Sequence, residues 1–99
     1  MKSMLLGVTW YRGKEDYDRL KAMAKDGEVL PDTYEEWLRK AEEVSGQMAL
    51  RGFTVVKVYL DPETFPAWCE ANGYEMDGAA RSRYGTEFAE KSYRAKGRK

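Results

Sequence analysis

The side chains that most often carry chemistry are scarce in this 99-residue chain. It contains no histidine and a single cysteine, Cys69. Histidine is the commonest general base near neutral pH and the commonest zinc ligand, and thiolate sites for zinc or iron–sulfur clusters need several cysteines. Cys69 has no imidazole to activate it, and its neighbours Trp68 and Phe65 favour a packed, inert thiol. We therefore expect no catalytic residue, no metal site and no cofactor.

Phosphate-binding and cation-binding motifs are missing as well. The segment at residues 12–14 has one glycine and no Ser or Thr after its lysine, so it does not match a P-loop. The acidic residues between positions 26 and 32 lack the alternating ligands and the central glycine of an EF-hand loop. An enzyme is accordingly less favoured than a protein that acts by binding.

Charge is patterned near the C-terminal end of a chain whose net charge is zero. Residues 61–80 carry five acidic side chains and no basic one, whereas residues 81–99 carry seven basic side chains and two acidic ones. Aromatic residues, among them Tyr84, interleave with these bases, which is typical of nucleic-acid-binding surfaces. The alternative is that the bases only complement the dipole of a last helix. The candidate basic contacts are Arg81, Arg83, Lys91 and Arg94.

Aromatic residues are abundant, with three Trp, seven Tyr and three Phe. Trp and Tyr are favoured in protein interfaces, and an acidic stretch beside a basic one can steer a partner. The main functional prediction is therefore a small non-catalytic binding module of the adaptor, regulator or inhibitor type, acting through protein–protein interaction. A nucleic-acid-binding or regulatory protein that uses the basic C-terminal helix is the alternative. Trp10, Trp68 and Tyr84 are the candidate aromatic contacts, whereas Trp37 lies in the middle of the best apolar stripe and is expected in the core.

Hydrophobic periodicity predicts two strands and, between them, two helices. Residues 4–11 and 53–60 are rich in β-branched and aromatic side chains and are typical of strands. The first helix is expected from residue 15 to a left-handed glycine cap at residues 26–27. The second is expected to begin with a capping box at residues 32–35 and to end at Gly52.

Two further helices are predicted after the second strand. Because Pro66 lacks an N–H group, we expect a separate turn at residues 62–65 and then a short helix closed by Gly73. The last helix is expected to begin near Asp77. Gly85 should weaken it by about 1 kcal/mol relative to alanine.

The fold class that follows is α/β, in the order β-α-α-β-α-α, with a small two-stranded sheet covered by four helices. A sheet of two strands is marginal by itself, so its extension across a homodimer, by pairing of a free edge with a second copy, is the expected partner interaction. The sequence does not decide between parallel and antiparallel pairing. We expect a single globular domain at residues 1–95 and a basic, frayed tail at residues 96–99.

The cysteine content and the hydropathy predict a cytoplasmic protein without membrane association. A single cysteine excludes an internal disulfide, which favours a reducing compartment. The longest apolar run, residues 4–11, is far shorter than a membrane span, and no small-residue cleavage site follows it.

Three segments carry a resemblance to a known group of proteins. They are residues 32–38 (DTYEEWL), residues 58–62 (VYLDP) and residues 67–69 (AWC). Over roughly residues 6–91 the chain resembles a family of small bacterial proteins with no assigned activity. The resemblance implies a bacterial or mobile-element origin and brings no ligand or catalytic residue with it.

Overall fold

The computed structural model describes residues 4–97, and their side chains as far as residue 91. A 3₁₀ turn at Gly27–Val29 separates the first two helices. The predicted mixed α/β class and element order are confirmed. In chain order the elements are strand β1 (Leu5–Trp10), helices α1 (Lys14–Met23) and α2 (Tyr34–Leu50), strand β2 (Thr54–Tyr59), and helices α3 (Thr64–Asn72) and α4 (Gly78–Gly97).

The two strands pair in parallel, with Leu5 opposite Thr54 and Trp10 opposite Tyr59. Parallel neighbours need a long crossover connection, which α1 and α2 supply here. Within residues 4–97 the sheet contains only β1 and β2. Each strand therefore has one outer edge that carries no further strand of the described chain.

Helix α4 covers one face of the sheet at close range, and two glycines make this approach possible. A Cβ atom on Gly7 would overlap the carbonyl oxygen of Gly85 and would lie 2.6 Å from the Cβ of Ala89. A Cβ on Gly85 would in turn lie 3.4 Å from Cγ2 of Thr9. Gly7 and Thr9 thus share the face of β1 that packs on α4.

Part of the buried core lies on this same face. Val56 and Val58 stand beside Gly7 and Thr9 in the parallel register and are 7% and 5% exposed. Residues that are neighbours in register share a face of the sheet, so these valines also lie under α4. Tyr84 of α4 and Phe65 of α3 extend this core with ring centroids 5.2 Å apart.

Helix α2 covers the opposite face more loosely. Side chains alternate along a strand, so Trp10 lies on the face away from α4, and its ring meets that of Trp37 at 5.1 Å between centroids. No side chain of α2 is buried, and Val44 in the middle of its apolar stripe is 48% exposed. A sheet two strands wide is too narrow to cover a helix of 17 residues.

The helix boundaries confirm some of the predicted caps and correct others. Gly52 and Gly73 have positive φ angles, as expected for glycines that end helices. The cap of α2 is one residue later than predicted, because the hydroxyl of Thr33 accepts the hydrogen bond from the N–H of Glu36. The left-handed cap at Gly27 is wrong: α1 has ended at Met23, and Gly27 is a buried residue of the 3₁₀ turn.

The separate turn predicted before Pro66 is also wrong. Helix α3 begins at Thr64 and runs through Pro66 without a break. The N–H groups of a first helical turn have no partner within the helix, so a proline there removes no intrahelical hydrogen bond. Asp61 begins this segment by accepting hydrogen bonds from the N–H groups of Glu63 and Thr64.

The three tryptophans are not buried in the expected order. Trp10 is the most protected, at 4% exposure, whereas Trp37 and Trp68 are only half-buried. Trp37 does pack against the core, but Trp10 and not Trp37 is the most buried of the three, because α2 rests on a narrow sheet. The predicted tail at residues 96–99 falls on a segment whose side chains lie outside the described part of the chain.

Candidate functional site

The outer edge of β1 presents peptide groups that pair with no strand of the described chain. Met4 and Trp10 accept hydrogen bonds through their carbonyl groups from the N–H groups of Thr54 and Leu60, at 2.8 and 2.9 Å. In a parallel ladder the residues that bond to a neighbouring strand alternate with residues that point away. The N–H and C=O groups of residues 5, 7 and 9 therefore point to the edge where the described residues place no strand.

A groove of about 580 Å³ runs along this edge. Its floor is formed by residues 7–10 of β1. Lys40, Ala41 and Val44 of α2 line one side, and Arg81 and Ser82 of α4 line the other. Because α2 and α4 lie on opposite faces of the sheet, the groove has a helical wall above and below the strand edge.

The two walls differ in the side chains that they present. On the α2 side the lining is mostly apolar: Trp37, Ala41 and Val44 lie next to Trp10 of the strand, together with the polar Lys40 and Ser45. On the α4 side it is polar, with Arg81 between the small residues Gly78 and Ser82. An extended segment placed in the groove would direct alternate side chains to these two unlike walls.

Arg81 is held at the rim of the groove by Asp26. The terminal nitrogens Nη1 and Nη2 donate to the two carboxylate oxygens at 3.0 and 2.8 Å, and the N–H of Gly78 donates to the same carboxylate at 3.1 Å. The hydrogen bonds from Arg81 lower the pKa of the Asp26 carboxyl from its ordinary value. This cluster fastens the 3₁₀ turn to the start of α4.

An aromatic cluster supports the groove from behind. Tyr11 and Trp37 meet edge to face with ring centroids 4.7 Å apart, and Tyr17 packs on both. The hydroxyl of Tyr17 donates to the carbonyl of Pro31, and burial raises the pKa of Tyr17 to about 12. The Nζ of Lys57 lies 4.4 Å from the ring centroid of Trp10. Rings fixed from several sides give the groove a rigid base.

A second aromatic surface lies on α3 and α4 and adjoins the groove at Ser82. The rings of Trp68 and Tyr84 meet edge to face with centroids 5.1 Å apart. The indole N–H of Trp68 donates a hydrogen bond to the carboxylate of Glu87 at 3.2 Å. The Arg83 guanidinium lies 5.1 Å from the ring centroid of Tyr74. A small pocket of about 340 Å³ separates these side chains.

The structure divides the sequence-predicted contact residues between these two places. Arg81 lines the groove, and Trp10 lines it although it is nearly buried. Trp68, Arg83 and Lys91 lie on the surface of α3 and α4, where Lys91 Nζ is 4.9 Å from the ring centroid of Phe88. Tyr84 is 6% exposed and supports that surface from below. The side chain of Arg94 lies outside the described residues.

Sequence reasoning missed Lys40, Ala41 and Val44 as lining residues, and it missed the peptide groups of β1. Val44 and Ala41 fall in the apolar stripe of a helix, a pattern that is typical of core positions. The signal available in the sequence was the mismatch between a 17-residue apolar stripe and a sheet of only two short strands.

Within the described side chains, no three His, Cys, Asp or Glu residues come close enough to hold a metal ion. Cys69 is buried, and burial raises the pKa of its thiol. The groove can supply apolar contact, backbone hydrogen bonds and positive charge to a ligand. In the part of the chain that the structure describes, no helix is both long and apolar enough to cross a membrane.

Comparison with known proteins identifies a family. Residues 8–96 match the model of a domain of unknown function, DUF8829, which is most of the chain, so the chain belongs to this family. No curated protein and no solved structure matches the chain. The resemblance to a family without an assigned activity is thereby confirmed.

Proposed function

We propose that this member of the DUF8829 family is a small non-catalytic protein-binding module that adds an extended segment of a partner protein to the free edge of β1. The groove at that edge is the observation that carries the proposal. A cytoplasmic location is proposed with it, on the ground of the single, buried cysteine.

Strand addition suits the groove because the edge already offers the necessary hydrogen-bonding groups. A strand added to a sheet lies 4.7–4.9 Å from its neighbour and pairs through main-chain N–H and C=O groups. Residues 5, 7 and 9 of β1 supply such groups along the floor. The α2 and α4 walls would then cover both faces of the added strand, as helices cover the strands of ordinary α/β proteins.

The shape of the groove favours a single segment over a second copy of the domain. An isologous dimer needs a surface that is complementary to itself. The β1 edge of a second copy would bring its own α2 and α4 with it, whereas a single extended segment brings no helices to the groove. The homodimer predicted from the sequence thus becomes the less favoured occupant of this edge.

The test is selection of phage-displayed random peptides on the purified protein, followed by binding measurements on groove variants. Ala41→Gln narrows the groove, and Thr9→Pro removes an edge N–H without touching the pairing to β2. Both variants should lose at least about 1.4 kcal/mol of binding free energy, which is tenfold in affinity.

Two matched controls separate the groove from general damage. Ala49→Gln makes the same alanine substitution on the exposed side of α2, and Tyr59→Pro places a proline at the outer edge of β2. Both should bind the selected peptides like the parent. If no peptide is selected, or if selected peptides bind Ala41→Gln and Ala49→Gln equally, the proposed function is wrong.

The surface of α3 and α4 supports a second candidate, single-stranded nucleic acid. Half-buried Trp68, Tyr74 and Phe88 lie there beside Arg83 and Lys91, which is the combination of rings and cations that stacks bases. Fluorescent single-stranded DNA and RNA should then bind with a salt dependence that the double variant Arg83→Ala, Lys91→Ala flattens. Absence of salt-dependent binding in the parent excludes this candidate.

A further inference from the structure

The charges that line the groove have one sign. Lys40 and Arg81 are its only charged lining residues among the described side chains. Helix α2 also carries Glu35, Glu36, Glu42 and Glu43, and none of the four lines the groove. Glu42 and Glu43 instead line a separate surface pocket with Arg39 and Lys40, so Lys40 lies between that pocket and the groove.

The two basic residues differ in how far their charge is already neutralised. Arg81 is bound end-on by Asp26, which uses two of the five N–H donors of its guanidinium and offsets its charge. Lys40 is exposed and forms no ion pair within the described residues. Lys40 therefore supplies the net positive charge at the groove.

The unlike walls add a requirement on size. The α2 side presents Trp37, Ala41 and Val44, which gain from contact with apolar side chains. The α4 side presents Gly78 and Ser82 beside Arg81, and the Arg81–Asp26 ion pair occupies part of the space on this side. In an extended occupant, apolar side chains would alternate with small ones.

We infer that the partner segment is an acidic extended stretch in which apolar side chains alternate with small ones and an Asp or Glu side chain pairs with Lys40. This inference rests on the proposed function and names the chemistry of the segment that the groove accepts. A basic segment would be repelled by Lys40, and a neutral segment would form no ion pair with it.

The experiment repeats the peptide selection on three proteins: the parent, Lys40→Glu, and Arg39→Glu. Arg39 is the matched control, because it is exposed on the same helix and does not line the groove. The parent and Arg39→Glu should enrich Asp or Glu at one position of an apolar–small alternation. Lys40→Glu should enrich Lys or Arg at that position.

A direct measurement follows on one selected peptide. Exchange of its conserved acidic residue for the matching amide should weaken binding to the parent about fivefold, the size of a partly exposed ion pair, and should leave binding to Lys40→Glu unweakened. On the parent protein, the difference in affinity between the acidic peptide and its amide form should shrink at high salt.

The possible outcomes are distinguishable. Peptides that bind in the groove, as judged by Ala41→Gln, but show no acidic preference overturn this inference and leave the proposed function standing. Failure to select any groove-dependent peptide overturns both. Sedimentation of the parent as a dimer and of Thr9→Pro as a monomer would make a second copy the occupant, which also overturns the inference.

Discussion

The two faces of the sheet are packed in different ways. On one face, α4 approaches β1 so closely that Gly7 has no room for a side chain and a Cβ on Gly85 would lie 3.2 Å from the Gly7 carbonyl oxygen. Val56 beneath α4 is 7% exposed. On the other face, α2 contributes no buried residue, and Val44 remains 48% exposed. The first face is packed like a protein interior, whereas the second leaves apolar side chains exposed, as in a surface that a ligand can cover.

This difference indicates where the fold is tightly packed and where apolar surface stays exposed. A close-packed face tolerates little change in volume, because its backbone and side chains cannot move apart cheaply. A loosely covered face leaves apolar surface available to a ligand at little cost to the folded state. The groove lies where the two faces meet, so it has one rigid wall and one apolar wall.

The largest effect is expected from a methyl group added to the close-packed face. Gly7→Ala would place a Cβ in overlap with the Gly85 carbonyl and 2.6 Å from Ala89 Cβ, and should lower the free energy of unfolding by about 3 kcal/mol or more. Gly46→Ala is the control on α2, where an added Cβ meets nothing within 4 Å and should raise stability by up to about 1 kcal/mol. Urea unfolding measures both. Equal effects of the two substitutions would remove the contrast between the faces.

A smaller effect is expected from truncating one valine on each face. Val56→Ala should cost about 2 kcal/mol, because it removes buried methyl groups and leaves a cavity under α4. Val44→Ala should cost less than about 0.5 kcal/mol, because alanine favours the helix and the side chain is half exposed. Thermal unfolding of the pair checks this. A cost at Val44 as large as that at Val56 would mean that α2 is as tightly packed as α4.

The smallest expected effect concerns the ion pair that joins the faces at the groove rim. The pKa of Asp26 is lowered from its ordinary value of 3.8, so its contribution is fully present above about that pH and is lost as the pH falls through the folded-state value. Asp26→Asn should therefore lower stability by about 1 kcal/mol at neutral pH and remove part of the acid dependence. The urea midpoints of the parent and of Asp26→Asn, measured at several pH values from neutral to acidic, give this loss of stability and its pH dependence. Parallel pH profiles for parent and variant would contradict the role assigned to this pair.

Much of the fold could be predicted from local signals. The order of elements, the strand at β2 and the glycines that close α2 and α3 follow from periodicity and caps that lie within a few residues of each other. The errors at Gly27 and Pro66 concerned where a helix ends or begins. The role of Gly85 depends instead on a neighbour far along the chain, because it looks like a helix weakness and yet lies at the close crossing over Gly7.

The candidate groove was harder to predict for the same reason. Its floor is an open strand edge because β1 and β2 pair in parallel and the described chain provides no third strand. No local sequence pattern predicts either of these two facts. Residue type did select Arg81 and Trp10, which line the groove, but it also selected Trp68 and Arg83 on the adjoining surface of α3 and α4. Composition identified contact-forming side chains without indicating which of them share a site.

The parallel register also has a consequence during synthesis on the ribosome. Because Leu5 pairs with Thr54, about half of the chain must leave the exit tunnel before β1 meets its only neighbour within the described chain. Until then the edge of β1 that later joins β2 is as open as the edge that forms the groove. Closing so long a loop is slow compared with forming the helices inside it. A segment that recognises an open β1 edge could thus engage the nascent chain on either side of the strand, and completion of β2 is what restricts it to one.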